Sequence, residues 1–338
     1  MIVDLHSHYL PLGALHAERE GPVELTGLDR VGGRVAVRVD GQSMVLPVSL
    51  VDPDAQVADA RIAGIDRRAL QPPPFTILYE LAPDRGLAWS RLLNDEIAAD
   101  AACYPDTLVG FASVPLQCGG AVAAAELARA AGLGLAGVEI LTSVQGRGLD
   151  AADLTEFWAA AAELAMPVVI HPHYVAGADR MADLHLRNLV GNPTETALAG
   201  ARLLFSGLLQ RFPDLAVVLC HGGGALPGII GRLRHGFRTR SEFADGATDP
   251  DDGLSRLYLD TVVFDTDVLR ELVGRVGPDH LVVGSDYPFD MAEPEPVRFV
   301  TESGLDPEDV QRVLATGERL LAPGVEPSHG RNHHAPAR

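Results

Sequence analysis

The chain has 338 residues, 47% of them hydrophobic, and a formal net charge of -19 with a pI near 4.9. That size supports a large core in one or two domains, and barrels often run this long as one. The acidic balance argues against nucleic acid or an anionic membrane as a bulk partner but leaves open a small anionic substrate held by a local arginine cluster.

The predicted elements begin with a strand over 2–7, which ends in His6-Ser-His8. Residues i and i+2 of a strand share a face, so the two imidazoles are expected to enter one small volume. The segment 10–66 is too long for an ordinary loop between strand and helix. Within it, Arg34 to Leu46 reads as a β-hairpin turning at Asp40-Gly41, and 53–64 as a helix. We expect a small β-rich insertion over the mouth of the fold. Further strands are predicted at 67–72, 108–114, 135–141, 167–171, 215–220, 257–262 and 280–285. Between them lie amphipathic stretches near 86–103, 120–132, 151–165, 194–211, 226–240 and 265–276, followed by helices at 291–303 and 306–320. Eight strands alternating with helices read as an α/β fold, a (β/α)8 TIM barrel, in one domain over 1–321. A doubly wound sheet is the alternative. It explains less well why His or Asp residues end strands from the first to the eighth, which are neighbours only in a closed barrel. The tail 322–338, with His329, His333 and His334, is expected to be mobile.

Cys103, Cys118 and Cys220 are widely spaced, lack zinc-site pairing, and suit reduced thiols in a cytoplasmic protein. No run of about 18 apolar residues and no leader-like segment is read, so no membrane span or signal peptide is expected. All 27 basic residues are arginine. The lack of lysine excludes lysine Schiff-base chemistry and a carbamylated lysine bridging two metals.

His6, His8, His171 and Asp286 all stand at strand C-termini, where barrel enzymes place their chemistry. Three imidazoles and one carboxylate form a ligand set for one divalent metal, Zn²⁺ first and Mn²⁺ or Fe²⁺ as alternatives, with no organic cofactor. Such a metal would supply hydroxide near neutral pH. Asp286 is assigned both to the ligands and, with His221, to the catalytic residues. His221 precedes three glycines that permit close approach of a substrate. It is expected to take a proton from the bound water, with a fifth-ligand role as the alternative. His173 lies in the loop above the fifth strand, near the mouth. His16, His185, His235 and His280 default to structural or surface roles. The run Arg232 to Arg240 reads either as an anion-binding stretch or as a solvated helix face.

The motifs Asp4-Leu-His-Ser-His-Tyr-Leu-Pro11, Val114-Pro-Leu-Gln117, Ile170-His-Pro172 and Pro193-Thr-Glu-Thr196 with Ser206-Gly207 act as a set. So do His221-Gly-Gly-Gly224 with Gly231-Arg232 and Gly284-Ser-Asp-Tyr-Pro-Phe289. Together they resemble the amidohydrolase superfamily, in the branch of the α-amino-β-carboxymuconate semialdehyde decarboxylase. The resemblance implies His6, His8, His171 and Asp286 as ligands and His221 as the residue activating the metal-bound water. It implies a homodimer in which Arg232 and Arg240 reach the partner's site and bind substrate. Two departures stand out. The family's insertion arginine, just before a Pro-Val pair, is missing from Val45-Leu-Pro-Val48, leaving Arg34 or Arg38 as candidate substitutes. His173 replaces an aromatic residue and becomes a candidate substrate contact. The expected function is a metal-dependent decarboxylase of a small aromatic, heterocyclic or muconate-type acid. A hydrolase of an amide, lactone or C–C bond using the same water is the second reading. A non-catalytic barrel is the third, and its mark would be lost ligands.

Overall fold

The computed structural model describes residues 1–15, 22–39, 41–243 and 246–322. His16, Asp40 of the expected hairpin turn, and the tail from 323 on with His329, His333 and His334 lie outside the described residues.

In chain order the elements are β1 (Val3–Asp4), β2 (Val23–Asp29), β3 (Arg34–Val39), β4 (Gln42–Pro47), α1 (Pro53–Ile62), β5 (Arg67–Leu70), α2 (Pro83–Ala102), β6 (Leu108–Ser113), α3 (Gly120–Gly132) and β7 (Gly137–Leu141). There follow β8 (Ser143–Val144), β9 (Arg147–Gly148), α4 (Thr155–Glu163), β10 (Val168–His171), α5 (Asn192–Phe205), α6 (Leu208–Arg211), β11 (Val217–Leu219) and α7 (Leu226–Thr239). The chain closes with α8 (Pro250–Leu254), β12 (Tyr258–Asp260), α9 (Thr266–Val276), β13 (Leu281–Val282), α10 (Pro296–Thr301) and α11 (Pro307–Leu321).

Eight strands form one parallel sheet in the order β1-β5-β6-β7-β10-β11-β12-β13. Its ends meet: Ser7 bridges Tyr287 in parallel, and the Leu5 amide donates to the Val283 carbonyl at 2.9 Å. This is the expected TIM barrel. All eight expected strands are present and shorter than read.

Side-chain parity sorts the core. Leu5, Ala69, Phe111, Val169, Val218 and Val282 form a cluster drawn almost wholly from strands, which fills the barrel. Residues of opposite parity, such as Ile140, Ile170 and Leu219, pack with Leu127, Trp158 and Leu203 of the surrounding helices. Both faces are apolar, which is why these strands read as continuous hydrophobic runs. Asp52 caps α1 and Asp265 caps α9 through backbone amides, fixing where each helix starts.

The insertion is a three-stranded antiparallel sheet, β2-β3-β4, so the expected hairpin is joined by β2, which sequence reading missed. Val35, Val37 and Val39 pack with Leu50, Trp89 and Leu93, tying the sheet to α2. Arg34 and Arg38 occupy the other, exposed face of β3, where Arg38 pairs with Glu24 at 3.0 Å. Strand alternation thus turns both arginines away from Val35, Val37 and Val39. Neither lines the cavity at the barrel mouth.

The first strand is anchored by a buried ion pair. Arg68 donates from Nε to Asp4 at 3.1 Å and from a terminal nitrogen to Asp59 at 2.7 Å, and lies 4.2 Å from the Tyr287 ring centre. Losing one member of such a pair strands the other charge. Arg68→Met is expected to cost about 3–5 kcal/mol in chemical unfolding, and adding Asp4→Asn should recover part of that loss. Strictly additive losses would show that the two groups do not depend on each other.

Candidate metal centre

Regular pairing of β1 stops at Asp4, and the chain bends at His6 before Ser7 and His8 resume as isolated bridges to Tyr287 and Gln71. The two histidines therefore converge through a bent strand end rather than a straight one. His171 is the last residue of β10, and Asp286 follows β13 with a left-handed φ of 60°.

One ligand atom from each of His6, His8, His171 and Asp286 lies within 4.8 Å of the others, all four residues being buried. The imidazole centres are 5.0 to 5.2 Å apart among these three histidines. The ring nitrogens are divided between two duties. His6 Nδ1 lies 2.6 Å from Asp260, and His171 Nδ1 lies 2.8 Å from the Pro172 carbonyl. Each leaves its Nε2 for the centre, and His6 Nε2 has no hydrogen-bond partner among the described residues. A buried imidazole nitrogen without a partner, aimed at two other imidazoles and a carboxylate, fits a divalent cation.

The electrostatics of Asp286 and His171 agree with this. Burial pushes the Asp286 carboxyl upward, but hydrogen bonds with His221 and His8 and the charge of His6 outweigh it and hold the group well below the usual carboxylate range. Burial, reinforced by His8 and His221, holds His171 well below the ordinary histidine value, so it stands neutral with a free lone pair. Asp260 is buried, yet the His6 hydrogen bond and charge help keep its pKa low.

His221 joins the same cluster, its ring 5.2 Å from His6 and 5.1 Å from His171, with Nε2 3.5 Å from Asp286. It has a φ of 58°, and its amide donates to Asp260 at 2.9 Å. His221 and Asp286 open onto a pocket of about 290 Å³ with mainly apolar walls, including Val262, Val263, Phe264 and Met291. Asn188 and Asn192 line both this pocket and a larger cavity of about 890 Å³.

The other expected contacts scatter. His173 lines the larger cavity, its ring 4.8 Å from Tyr174, and burial followed by the nearby Arg187 charge lowers its pKa to about 4. His185, given no site role from sequence, lines that cavity too. Arg232 and Arg240 are exposed, on α7 and at its end, and neither lines either cavity; Arg240 pairs with Glu242. His280 is buried and stacks on Tyr258 at 4.7 Å.

Sequence reading missed Asp260 and Glu139. Asp260 ends β12 as Asp286 follows β13, so its position at a strand terminus was the available signal. Glu139 is a lone charge inside the buried run Gly137–Leu141. Burial raises its pKa well above the usual value.

A family model described as Amidohydrolase matches residues 3–317. The 2-amino-3-carboxymuconate-6-semialdehyde decarboxylase of Dictyostelium discoideum is 31% identical, covering 96% of this chain and 92% of its own. The 6-methylsalicylic acid decarboxylase of Penicillium expansum is 26% identical, covering 94% of each chain. A crystal structure of a dihydroxybenzoic acid decarboxylase from Polaromonas sp. JS666, with bound manganese and the inhibitor 2-nitroresorcinol, superposes with a TM-score of 0.78. It is 22% identical and covers 95% of this chain and 96% of its own.

Removing an imidazole from the set opens it, so His8→Ala should lose most bound metal in elemental analysis. Asp260→Asn should keep the ligands but weaken metal affinity by about 10–100-fold, the usual effect of losing a carboxylate behind a ligating histidine. Undiminished metal in His8→Ala would sink the ligand assignment.

Proposed function

The chain belongs to the amidohydrolase family, and from that premise we propose that it is a metal-dependent decarboxylase of a small aromatic, heterocyclic or muconate-type carboxylic acid. The observation that carries this reading is the pocket beside His221 and Asp286. It joins the buried ligand cluster to mainly apolar walls, with room for a small ring. The relatives named above support it by their activities.

His6, His8, His171 and Asp286 would hold one divalent ion, and the three-nitrogen, one-oxygen donor set favours zinc, with manganese as the alternative. When bound, that ion supplies Lewis acidity, which acidifies a coordinated water and polarises substrate oxygens. His221 holds or moves a proton at Nε2, the nitrogen 3.5 Å from Asp286, and its backbone is fixed by Asp260 so that the ring stays over the pocket. The apolar walls exclude water from the ring face, while Asn188 and Asn192 offer hydrogen bonds to ring substituents. Decarboxylation breaks the bond between ring and carboxylate carbons, releases CO2 and places a proton on the ring carbon. His221 is the residue positioned to carry that proton.

Arg232 and Arg240 lie outside both cavities of their own chain. As part of the same reading, they serve a neighbouring subunit in a homodimer by pairing with the substrate's anionic groups through the planar guanidinium. Among the described residues no helix is long and apolar enough to cross a membrane.

A screen of aromatic and muconate-type acids for CO2 release tests the main reading. His221→Asn should retain the metal and lose at least about a hundredfold in rate. Hydrolysis of amides or lactones with no CO2 from any acid would replace the decarboxylase reading with the hydrolase one. For the dimer, Arg240→Ala should reduce kcat/KM with metal still bound. Mixing it with His221→Asn should restore activity through subunits that complete each other's sites. A monomer in sedimentation, or no effect of Arg240→Ala and Arg232→Ala, would rule the arrangement out.

A further inference from the structure

Three imidazoles meet at the centre, and each has a second nitrogen turned away from it. Asp260 takes that nitrogen for His6 and the Pro172 carbonyl takes it for His171. His8 breaks the pattern. Its Nε2 faces Asp286 at 3.1 Å, while its Nδ1 is buried with no hydrogen-bond partner among the described residues. An oxygen of Glu139 lies 3.8 Å from that nitrogen. Glu139 is fully buried on β7, and neither of its carboxyl oxygens has a hydrogen-bond partner among the described residues. A carboxyl in a strand whose other side chains are Val138, Ile140 and Leu141 is costly to bury, and three unpartnered atoms in one place call for a common explanation.

We infer that Glu139 is a positioning residue of the metal centre, accepting a hydrogen bond from His8 Nδ1–H and so holding the His8 ring with Nε2 toward the ion. The 3.8 Å separation exceeds hydrogen-bond length, and a movement of about 1 Å makes the contact. A carboxyl oxygen accepts in either protonation state, so the contact does not depend on the charge of Glu139. Placing the proton on Nδ1 leaves the Nε2 lone pair for the ion, as Asp260 does for His6. All three ligating histidines are then oriented by an oxygen from behind. The inference rests on the metal reading above and takes nothing from the choice of substrate or reaction.

The test compares the wild type with Glu139→Met and Glu139→Gln, each stripped of metal, titrated with Zn²⁺ against a chelating indicator, and melted without metal. Methionine keeps much of the volume and removes both oxygens. Glu139→Met should bind Zn²⁺ about 10–100-fold more weakly. Its metal-free melting temperature should hold or rise, because an unpartnered buried carboxyl has gone. Glu139→Gln keeps an acceptor oxygen and should recover most of the affinity. Wild-type affinity in Glu139→Met would overturn the inference. So would parallel losses of affinity and metal-free stability in both variants, which would mark Glu139 as a packing residue. A wild-type protein that binds no Zn²⁺ would remove the metal reading and this inference together, whatever its activity.

Discussion

Asp4 lies fully buried where the barrel closes, and it gathers the groups that place the candidate metal ligands. It accepts the Ser285 amide at 3.0 Å and the Ser285 hydroxyl at 2.6 Å, receives the His6 amide at 3.3 Å, and is balanced by Arg68. The His6 carbonyl in turn accepts the amides of Ser285 and Asp286. His6 and Asp286, 280 residues apart in the chain, are therefore placed by one short set of hydrogen bonds. A left-handed φ at a non-glycine residue such as Asp286 is costly and persists only where its surroundings over-determine it, and these bonds provide that constraint.

Two sequence motifs prove to be two sides of one contact. His221 is followed by Gly222, Gly223 and Gly224, all with positive φ. A β-carbon on Gly224 would come within 2.3 Å of the Pro193 carbonyl oxygen, and one on Gly222 within 2.4 Å of Val263. The Ala225 amide donates to that same Pro193 carbonyl at 3.0 Å. Gly224 is thus required by the close approach of Pro193 in the first turn of α5, and Gly222 by that of Val263. The backbone beside His221 is held from both sides, by Asp260 and by Pro193.

The barrel was legible because both faces of its strands are buried, so apolar runs, strand ends and helix faces repeat strongly enough to count. The four proposed ligands were legible for the same reason: a polar residue ending an apolar strand stands out. Asp260 ends a strand in the same way, but its partner is an imidazole and backbone amides, and no spacing rule links it to His6, 254 residues away. Glu139 was hidden inside a strand, where parity does not say which face is the interior until the barrel closes. β2 was missed because Val23–Asp29 carries two acidic residues and a glycine, and its one register shift falls between Leu25 and Gly27. Pairing with β3 holds it there, and pairing is not a local property.

The distribution of charge around the pocket bears on the proposed reaction. Among the described residues, the pocket at His221 and Asp286 is lined by no arginine, although the chain has 27. Of the two arginines lining the larger cavity, Arg202 is held by Asp150 at 2.6 and 3.0 Å, while Arg187 stands at the exposed rim. A carboxylate entering the smaller pocket would give up water to valine, phenylalanine and methionine side chains. Loss of CO2 removes the charge localised on that carboxylate, so an apolar wall there penalises the bound acid more than the product that has lost it. An arginine pairing with the departing carboxylate would work against the reaction by stabilising its starting state. On the proposed reading, cationic contacts belong at a second anionic group of the substrate, away from the scissile carboxylate. Residues reaching in from outside the pocket suit that geometry better than residues lining it.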